Sequence, residues 1–189
     1  MNSAEYVSVL VSIVVGLALT DVLQSLHRLL RAGRRVRWDW AAPLSTLLVV
    51  MVLVMLWWAF YQPAAGRISI GEFLPTLVTL VLLFLLAASA LPDDVPAEGL
   101  DLRDYYQQNS RYLWSLFAGL LAWLLLVDVG KALAGGRPLQ PVLTGSLIEL
   151  GVLALFLSLA VVRRRWWHAL ALVVLLASGP VEWLARAVG

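Results

Sequence analysis

Six apolar segments of about 20 residues each fill most of this 189-residue chain. About 20 apolar residues allow a helix to cross the roughly 30 Å hydrocarbon core of a bilayer. Backbone that faces lipid must satisfy its hydrogen bonds internally, which favours helices. The sequence therefore predicts an all-α polytopic membrane protein, a single domain over residues 1–189 with six transmembrane helices. These spans are expected at roughly 5–30, 41–61, 72–91, 111–134, 141–162 and 166–187.

Composition supports a membrane environment. Hydrophobic residues make up 61% of the chain and charged residues 14%, whereas a soluble domain is about half apolar and about a quarter charged. The absence of cysteine excludes disulfides, thiolate catalysis and cysteine-based metal sites. Basic residues cluster beside the apolar segments, as in membrane proteins, so we expect the lipid bilayer as a partner and no nucleic acid.

The distribution of basic residues predicts the orientation. The connections after helices 1, 3 and 5 hold ten of the fourteen Lys and Arg residues, and the opposite side holds four. Basic loops face the cytoplasm, so the N and C termini are expected outside. The ten basic residues on the predicted inner side are Arg28, Arg31, Arg34, Arg35, Arg37, Arg103, Arg111, Arg163, Arg164 and Arg165.

Aromatic residues fall near both predicted interfaces, as expected of two aromatic belts. The inner belt would contain Trp38, Trp40, Trp114, Trp166 and Trp167, and the outer belt Trp57, Trp58, Tyr61 and Trp183.

The largest connection is a predicted cytoplasmic acidic loop over residues 92–110. Within it, Asp101 is followed three residues later by Asp104, a pattern typical of a capped helix start. Helix 4 is therefore expected to begin near Leu102, to run for about 30 residues and to project from the bilayer.

Asp21, Asp128, Lys131, Glu149 and Glu182 are charged residues within the predicted spans, where an ionised group near the bilayer centre costs from ~2.5 to ~10 kcal/mol. At 1.5 Å per residue, Asp21 would lie about 10 Å from the inner side and Glu149 about 12 Å from the outer side. Asp128, Lys131 and Glu182 would lie nearer the outer end.

Four of these residues are carboxylates and only one is a cation. Asp128 and Lys131 are three residues apart and can form a local ion pair. Arg28 shares a helix face with Asp21 and can reach back to it. At least two carboxylates then remain, and each must bind a proton or cation, face water, or pair across an oligomer interface.

Helix 1 carries a stripe of small and polar residues beside Asp21, and two interpretations are open. Residues with this spacing let helices approach closely and form interhelical hydrogen bonds. The same residues can line a path for ions or protons. The stripe consists of Ser8, Ser12, Gly16, Thr20, Gln24 and His27.

A weak internal repeat is also present. Leu19-Thr20-Asp21-Val22 in helix 1 matches Leu126-Val127-Asp128-Val129 in helix 4. Two halves of three helices each would have inverted topology, a 3+3 arrangement found in transporters.

The N-terminal pattern EYVSVL…GLALTDVL…HRL resembles a group of small bacterial multi-span inner-membrane proteins. This resemblance covers mainly helix 1 and its arginine loop. It implies a bacterial inner membrane and implies no activity.

We expect no enzyme, because the sequence contains no motif for nucleophilic, zinc-dependent or phosphate-transfer chemistry. His27 and His168 both fall at cytoplasmic helix ends and would ligate a haem or metal only if helices 1 and 6 touched. No metal or cofactor is expected.

These observations lead to two functional hypotheses. The first is a small oligomeric channel or transporter for protons or small cations. Its pathway would use Asp21, Glu149, Asp128, Lys131, Glu182, Thr20, Gln24 and Ser12. The alternative is a non-transporting accessory, assembly or sensor subunit, whose stripe on helix 1 binds a second copy or another membrane protein.

Overall fold

The computed structural model of the chain is a bundle of α-helices. It describes residues 3–60, 70–136, 138, 141 and 144–187, and the side chains of 6–60, 71, 73–136, 138, 141 and 144–178 among them. Tyr61 of the predicted outer belt lies outside the described residues, as do the side chains of Trp183 and Glu182. Six helices are present in the described part: α1 (Ser3–Ala32), α2 (Ala41–Phe60), α3 (Ile70–Ala88), α4 (Leu102–Ala134), α5 (Leu147–Val161) and α6 (Arg165–Ala187).

The all-helical fold predicted from sequence is confirmed, and each helix coincides with one of the six apolar segments. By length and composition, α1, α2 and α4 are able to cross a membrane. The other three contain shorter apolar stretches, Phe73–Ala88, Leu147–Val161 and Arg165–Ser178. Large apolar side chains also cover the outside of the bundle, as the 76% exposure of Val161 illustrates. The chain therefore has the make-up of a membrane protein.

The helices pack around a shared apolar core. α1 buries one face at intervals of three or four residues, including Val11, Ala18, Val22 and Leu29, and this face packs mainly on α3 and α2. In the second half, α4 packs most extensively on α5 and also contacts α3, whereas α6 packs on α2 more than on α5. Since α1 pairs with α3 but α4 pairs with α5, the contacts do not follow the predicted 3+3 repeat.

The start of α4 is held by a cap, as predicted. Asp101 Oδ1 accepts a hydrogen bond from the backbone N–H of Arg103 at 2.8 Å, and α4 begins at Leu102. Its 33 residues match the predicted length. The cap stabilises the helix because it satisfies an N–H that has no partner within the helix.

A short strand pair joins two connections at this end of the bundle. β1 (Val36–Arg37) follows α1 and pairs in parallel with β2 (Leu100–Asp101), which precedes α4. The approach is tight at Gly99, whose φ is 101° and where a Cβ would lie 2.8 Å from the carbonyl oxygen of Arg35. Only glycine fits there without moving backbone.

The belt prediction is wrong for one residue, Trp114. Trp114 is fully buried and stacks on both Phe117 and Phe156, with ring centroids 5.2 and 5.8 Å away. The two phenylalanine rings also contact each other, so the three form one cluster. Its position near a helix end suggested an interface, but the face of α4 that carries it packs on its neighbours. Trp38, Trp40 and Trp166 are exposed at this end of the bundle.

Replacing Gly99 by alanine should destabilise the fold more than replacing Gly33. Gly33 also has a positive φ, 56°, but its Cβ position is open. We expect Gly33→Ala to cost about 1 kcal/mol and Gly99→Ala about 2–3 kcal/mol, since the latter adds a backbone clash. Tryptophan fluorescence during unfolding in mixed micelles measures both. Equal losses in the free energy of unfolding for the two variants would show that the Arg35 carbonyl does not prevent a side chain at position 99.

Candidate functional site

Polar contacts join three connections at the end of the bundle where β1 and β2 pair. Arg28 Nη1 donates to the carbonyl oxygen of Asp93 at 2.6 Å. Arg165 Nη2 lies 2.6 Å from Asp39 Oδ2. Together with the strand pair, these contacts bring the segments after α1, before α4 and before α6 to one end of the molecule. The three basic connections predicted to share a side therefore lie together.

Two aspartates at this end, Asp39 and Asp101, each bind both a backbone N–H at a helix start and an arginine. Asp39 Oδ1 accepts from the backbone N–H of Ala41 at 3.1 Å, at the start of α2, while its other oxygen binds Arg165. Asp101 caps α4 with one oxygen, and its other oxygen lies 3.3 Å from Arg37 Nη1. Each carboxylate thus positions a helix start and fixes an arginine from another part of the chain.

A cavity of about 120 Å³ opens among these connections, and we call it the basic-end cavity. Three arginines, one carboxylate and two uncharged side chains contribute to its lining: Arg103, Arg163, Arg165, Asp39, Trp40 and Gln107. The Arg165 guanidinium carbon also lies 5.8 Å from the centre of the Trp40 ring, within cation–π range.

A chain of hydrogen bonds lies beside the cavity, and two of its members, Tyr106 and His168, line it. Trp114 Nε1 donates to the Tyr106 hydroxyl oxygen at 3.0 Å, and that hydroxyl lies 2.8 Å from His168 Nδ1. His168 Nε2 lies 2.8 Å from the carbonyl oxygen of Val162. We call this chain of four groups the Trp–Tyr–His network.

The direction of the hydrogen bonds in the network follows from the Val162 carbonyl. A carbonyl only accepts, so His168 Nε2 must donate to Val162. In the neutral ring Nδ1 is then an acceptor, and the Tyr106 hydroxyl donates to it while accepting from Trp114. Every polar group in the network is satisfied, which makes its burial between α4 and α6 favourable.

Tyr106 and His168 were not predicted as linked site residues. A sequence signal exists for the α4 side, because Tyr106, Ser110, Trp114 and Phe117 recur at helical spacing and are all buried. The role of His168 depends on how α6 approaches α4, which helical spacing does not encode. With both ring nitrogens engaged by protein groups, His168 does not form the histidine pair considered from sequence.

The predicted pathway residues of α1 lie at or near its outer face. Asp21 is half-buried, whereas Ser12, Thr20 and Gln24 are exposed. Thr20 Oγ1 donates to the Gly16 carbonyl at 2.7 Å. Ser12 Oγ donates to the Ser8 carbonyl at 2.9 Å and accepts from Trp57 Nε1 at 3.1 Å.

Asp21 and Gln24 are different from these hydroxyl residues. Within the described part of the chain, neither side chain has a hydrogen-bond or ion-pair partner. The expected contact of Arg28 with Asp21 is absent there, since the Arg28 guanidinium turns to the Asp93 carbonyl instead.

The remaining predicted residues lie on other helices. Glu149 is half-buried, and its Oε2 atom is buried without a hydrogen-bond partner among the described residues. Asp128 and Lys131 are exposed, and no ion pair joins them within 4.0 Å in the described structure.

Among the described residues, the structure does not bring the Asp21 and Glu149 carboxylates together. Asp21 on α1 and Glu149 on α5 belong to helices that do not pack extensively on each other, and none of the predicted pathway residues with a described side chain lines the basic-end cavity. No protein family matches the chain, and comparison with curated proteins and with solved structures finds no match.

Loss of the Tyr106 hydroxyl should destabilise the protein. Tyr106→Phe leaves the Trp114 N–H and His168 Nδ1 buried without partners, so we expect the free energy of unfolding to fall by about 2 kcal/mol or more. Tyr112→Phe is the matched control on the same helix, because Tyr112 is 51% exposed and Tyr106 only 8%. Unfolding in mixed micelles, followed by tryptophan fluorescence, compares them; a similar effect of both variants would contradict the network.

Proposed function

We propose that the protein is a non-transporting membrane subunit that assembles with another membrane helix through the outward face of α1. Asp21, a carboxylate in the middle of an apolar helix with no partner in the described chain, carries this proposal. It lies at the edge of a face that includes Gly16, Thr20 and Gln24, all exposed. We call this surface the α1 face.

The Asp21 carboxylate is costly in a bilayer when it has no partner. Leaving an ionised carboxylate within a bilayer costs between ~2.5 and ~10 kcal/mol, depending on the method of measurement. A helix that offers a hydrogen-bond donor or a cation to Asp21 removes much of this cost. Gln24, one turn away, presents an amide with further donor and acceptor capacity to the same neighbour.

The shape of the α1 face also suits a second helix. A Cβ added at Gly16 would meet no atom within 4 Å, so a helix backbone has room to approach at this position. Small residues promote close helix contacts in membranes, where apolar burial alone provides little drive for association. The Ser12 and Thr20 hydroxyls bond to backbone of their own helix, so they can lie in such a contact without cost.

Transport of protons or small cations is the second candidate, and Glu149 favours it. Its buried Oε2 atom has no hydrogen-bond partner in the described structure, so a bound proton or cation would lower the cost of burying it. Because Asp21 and Glu149 are on helices without extensive mutual contact, such a pathway would have to form between chains.

Six membrane crossings with both termini outside remain part of this proposal. The convergence of the three basic connections at one end supports it, since basic connections face the cytoplasm. A bacterial inner membrane follows from the resemblance of the N-terminal pattern.

Photo-crosslinking in cells tests the α1 face. A photoreactive amino acid in place of Thr20 should form a discrete adduct, and the same amino acid in place of Leu126 should not. Leu126 is 62% exposed but lies on α4. An adduct of twice the 20.8 kDa chain mass would identify a second copy as the partner. An adduct of another mass would identify a different protein. Equal labelling at both positions would contradict a specific α1 interface.

Replacing Asp21 should weaken the assembled complex without unfolding the chain. Interhelical hydrogen bonds in membranes contribute about 1–2 kcal/mol, so we expect Asp21→Leu to weaken assembly about five- to thirty-fold. Asp128→Leu is the control, because Asp128 is an exposed carboxylate on α4. Dilution series in detergent, read by light scattering, give the oligomer size.

The same purified samples separate the two functions when reconstituted in liposomes. Our proposal expects no proton, sodium or potassium flux from the wild type. Flux in the wild type that disappears in a fully assembled Glu149→Gln variant would establish the transport candidate instead.

A further inference from the structure

We propose that the basic-end cavity binds a phosphate group, with the headgroup of an anionic membrane phospholipid as its expected source. The inference rests on the cavity and its charges. It is independent of the α1 face, which lies on another part of the molecule.

The cavity has an excess of positive charge. Arg103, Arg163 and Arg165 line it together with a single carboxylate, Asp39, and Asp39 is already paired with Arg165. Among the described residues, no carboxylate lies within 4.0 Å of the Arg103 or Arg163 guanidinium groups. Two arginines thus remain to bind an anion.

Arginine is suited to phosphate in particular. Its planar guanidinium presents two parallel N–H groups that match two phosphate oxygens, and the hydrogen bonds are strengthened by charge. Gln107 adds an amide N–H donor to the lining. Tyr106 and His168 also line the cavity. They do not bind the phosphate, because their polar atoms are already hydrogen-bonded in the Trp–Tyr–His network.

The volume of the cavity also fits a phosphate group. One water requires about 10–15 Å³, and the cavity provides about 120 Å³. It therefore accommodates a phosphate with several ordered waters.

The position of the cavity favours a lipid over a soluble phosphate. Trp40 lines it, and Trp38 and Trp166 are exposed at the same end of the chain. Exposed tryptophans concentrate at the level of lipid headgroups. Basic pockets between helices on the cytoplasmic side are established binding sites for anionic headgroups.

The test measures lipid binding by native mass spectrometry of the full-length protein in detergent. Phosphatidylglycerol and zwitterionic phosphatidylcholine with identical acyl chains are titrated separately. Inorganic phosphate and glycerol phosphate are then added as competitors, to separate the two sources of the phosphate group.

Neighbouring arginines supply matched variants. Arg163→Gln and Arg164→Gln remove the same charge from the same connection, but only Arg163 lines the cavity. Arg103→Gln and Arg111→Gln form a second pair on α4, of which only Arg103 lines the cavity. Helical circular dichroism and oligomer size establish that each variant is folded.

We expect phosphatidylglycerol to bind more tightly than phosphatidylcholine. Binding should weaken about tenfold or more in Arg163→Gln and Arg103→Gln, with at most twofold changes in the two controls. Binding of inorganic phosphate that weakens in Arg163→Gln and Arg103→Gln, with lipid binding unchanged in both variants, would retain the phosphate site and make its source soluble. Equal effects of Arg163→Gln and Arg164→Gln, or no preference for any phosphate anion, would overturn the proposal.

Discussion

The Tyr106 hydroxyl connects the helices at the basic end of this protein. It accepts from Trp114 and donates to His168, which in turn donates to the Val162 carbonyl at the end of α5. One phenol oxygen therefore links α4 to the start of α6 and, through the imidazole, to the end of α5. Because each buried polar group depends on the next, the network fixes the position of the Arg163–Arg165 connection and hence the wall of the basic-end cavity.

Two different kinds of polar surface result from this arrangement. At the basic end, Asp39, Asp101, Tyr106 and His168 are bonded within the chain. Arg103 and Arg163, which have no carboxylate within 4.0 Å among the described residues, line a cavity. Along α1, the apolar side from Val11 to Leu29 is turned inward, which leaves Asp21 at the edge and Gln24 on the outside. The first surface suits a small anion and the second suits another helix, so we assign them separate roles.

The sequence was sufficient to predict the helices and the common side of the basic connections, because apolar length and arginine position carry that information directly. The start of α4 could also be predicted, since Asp101 is a local cap. The rotation of each helix about its own axis, which decides the residues that face the core, could not be predicted. Trp114 was assigned to a belt because it lies near the predicted inner interface along the chain, but position along the chain does not show which side of a helix packs on its neighbours, and Trp114 is buried. The polar stripe on helix 1 left packing and a pathway both open for Asp21, and the structure adds that Asp21 lies at the edge of an outer face.

A physical link between the two surfaces runs through the end of α1. Arg28 lies one turn after Gln24 on α1 and donates to the Asp93 carbonyl in the connection that leads to β2 and α4. Thr46 of α2 donates to the Ala90 carbonyl of the same connection at 3.4 Å, and Asn109 of α4 to that of Ser89 at 2.5 Å. Three helices, α1, α2 and α4, thus hold one segment. The strand pair joins this segment to the connection after α1, and the close approach of Gly99 to the Arg35 carbonyl packs the two connections against each other.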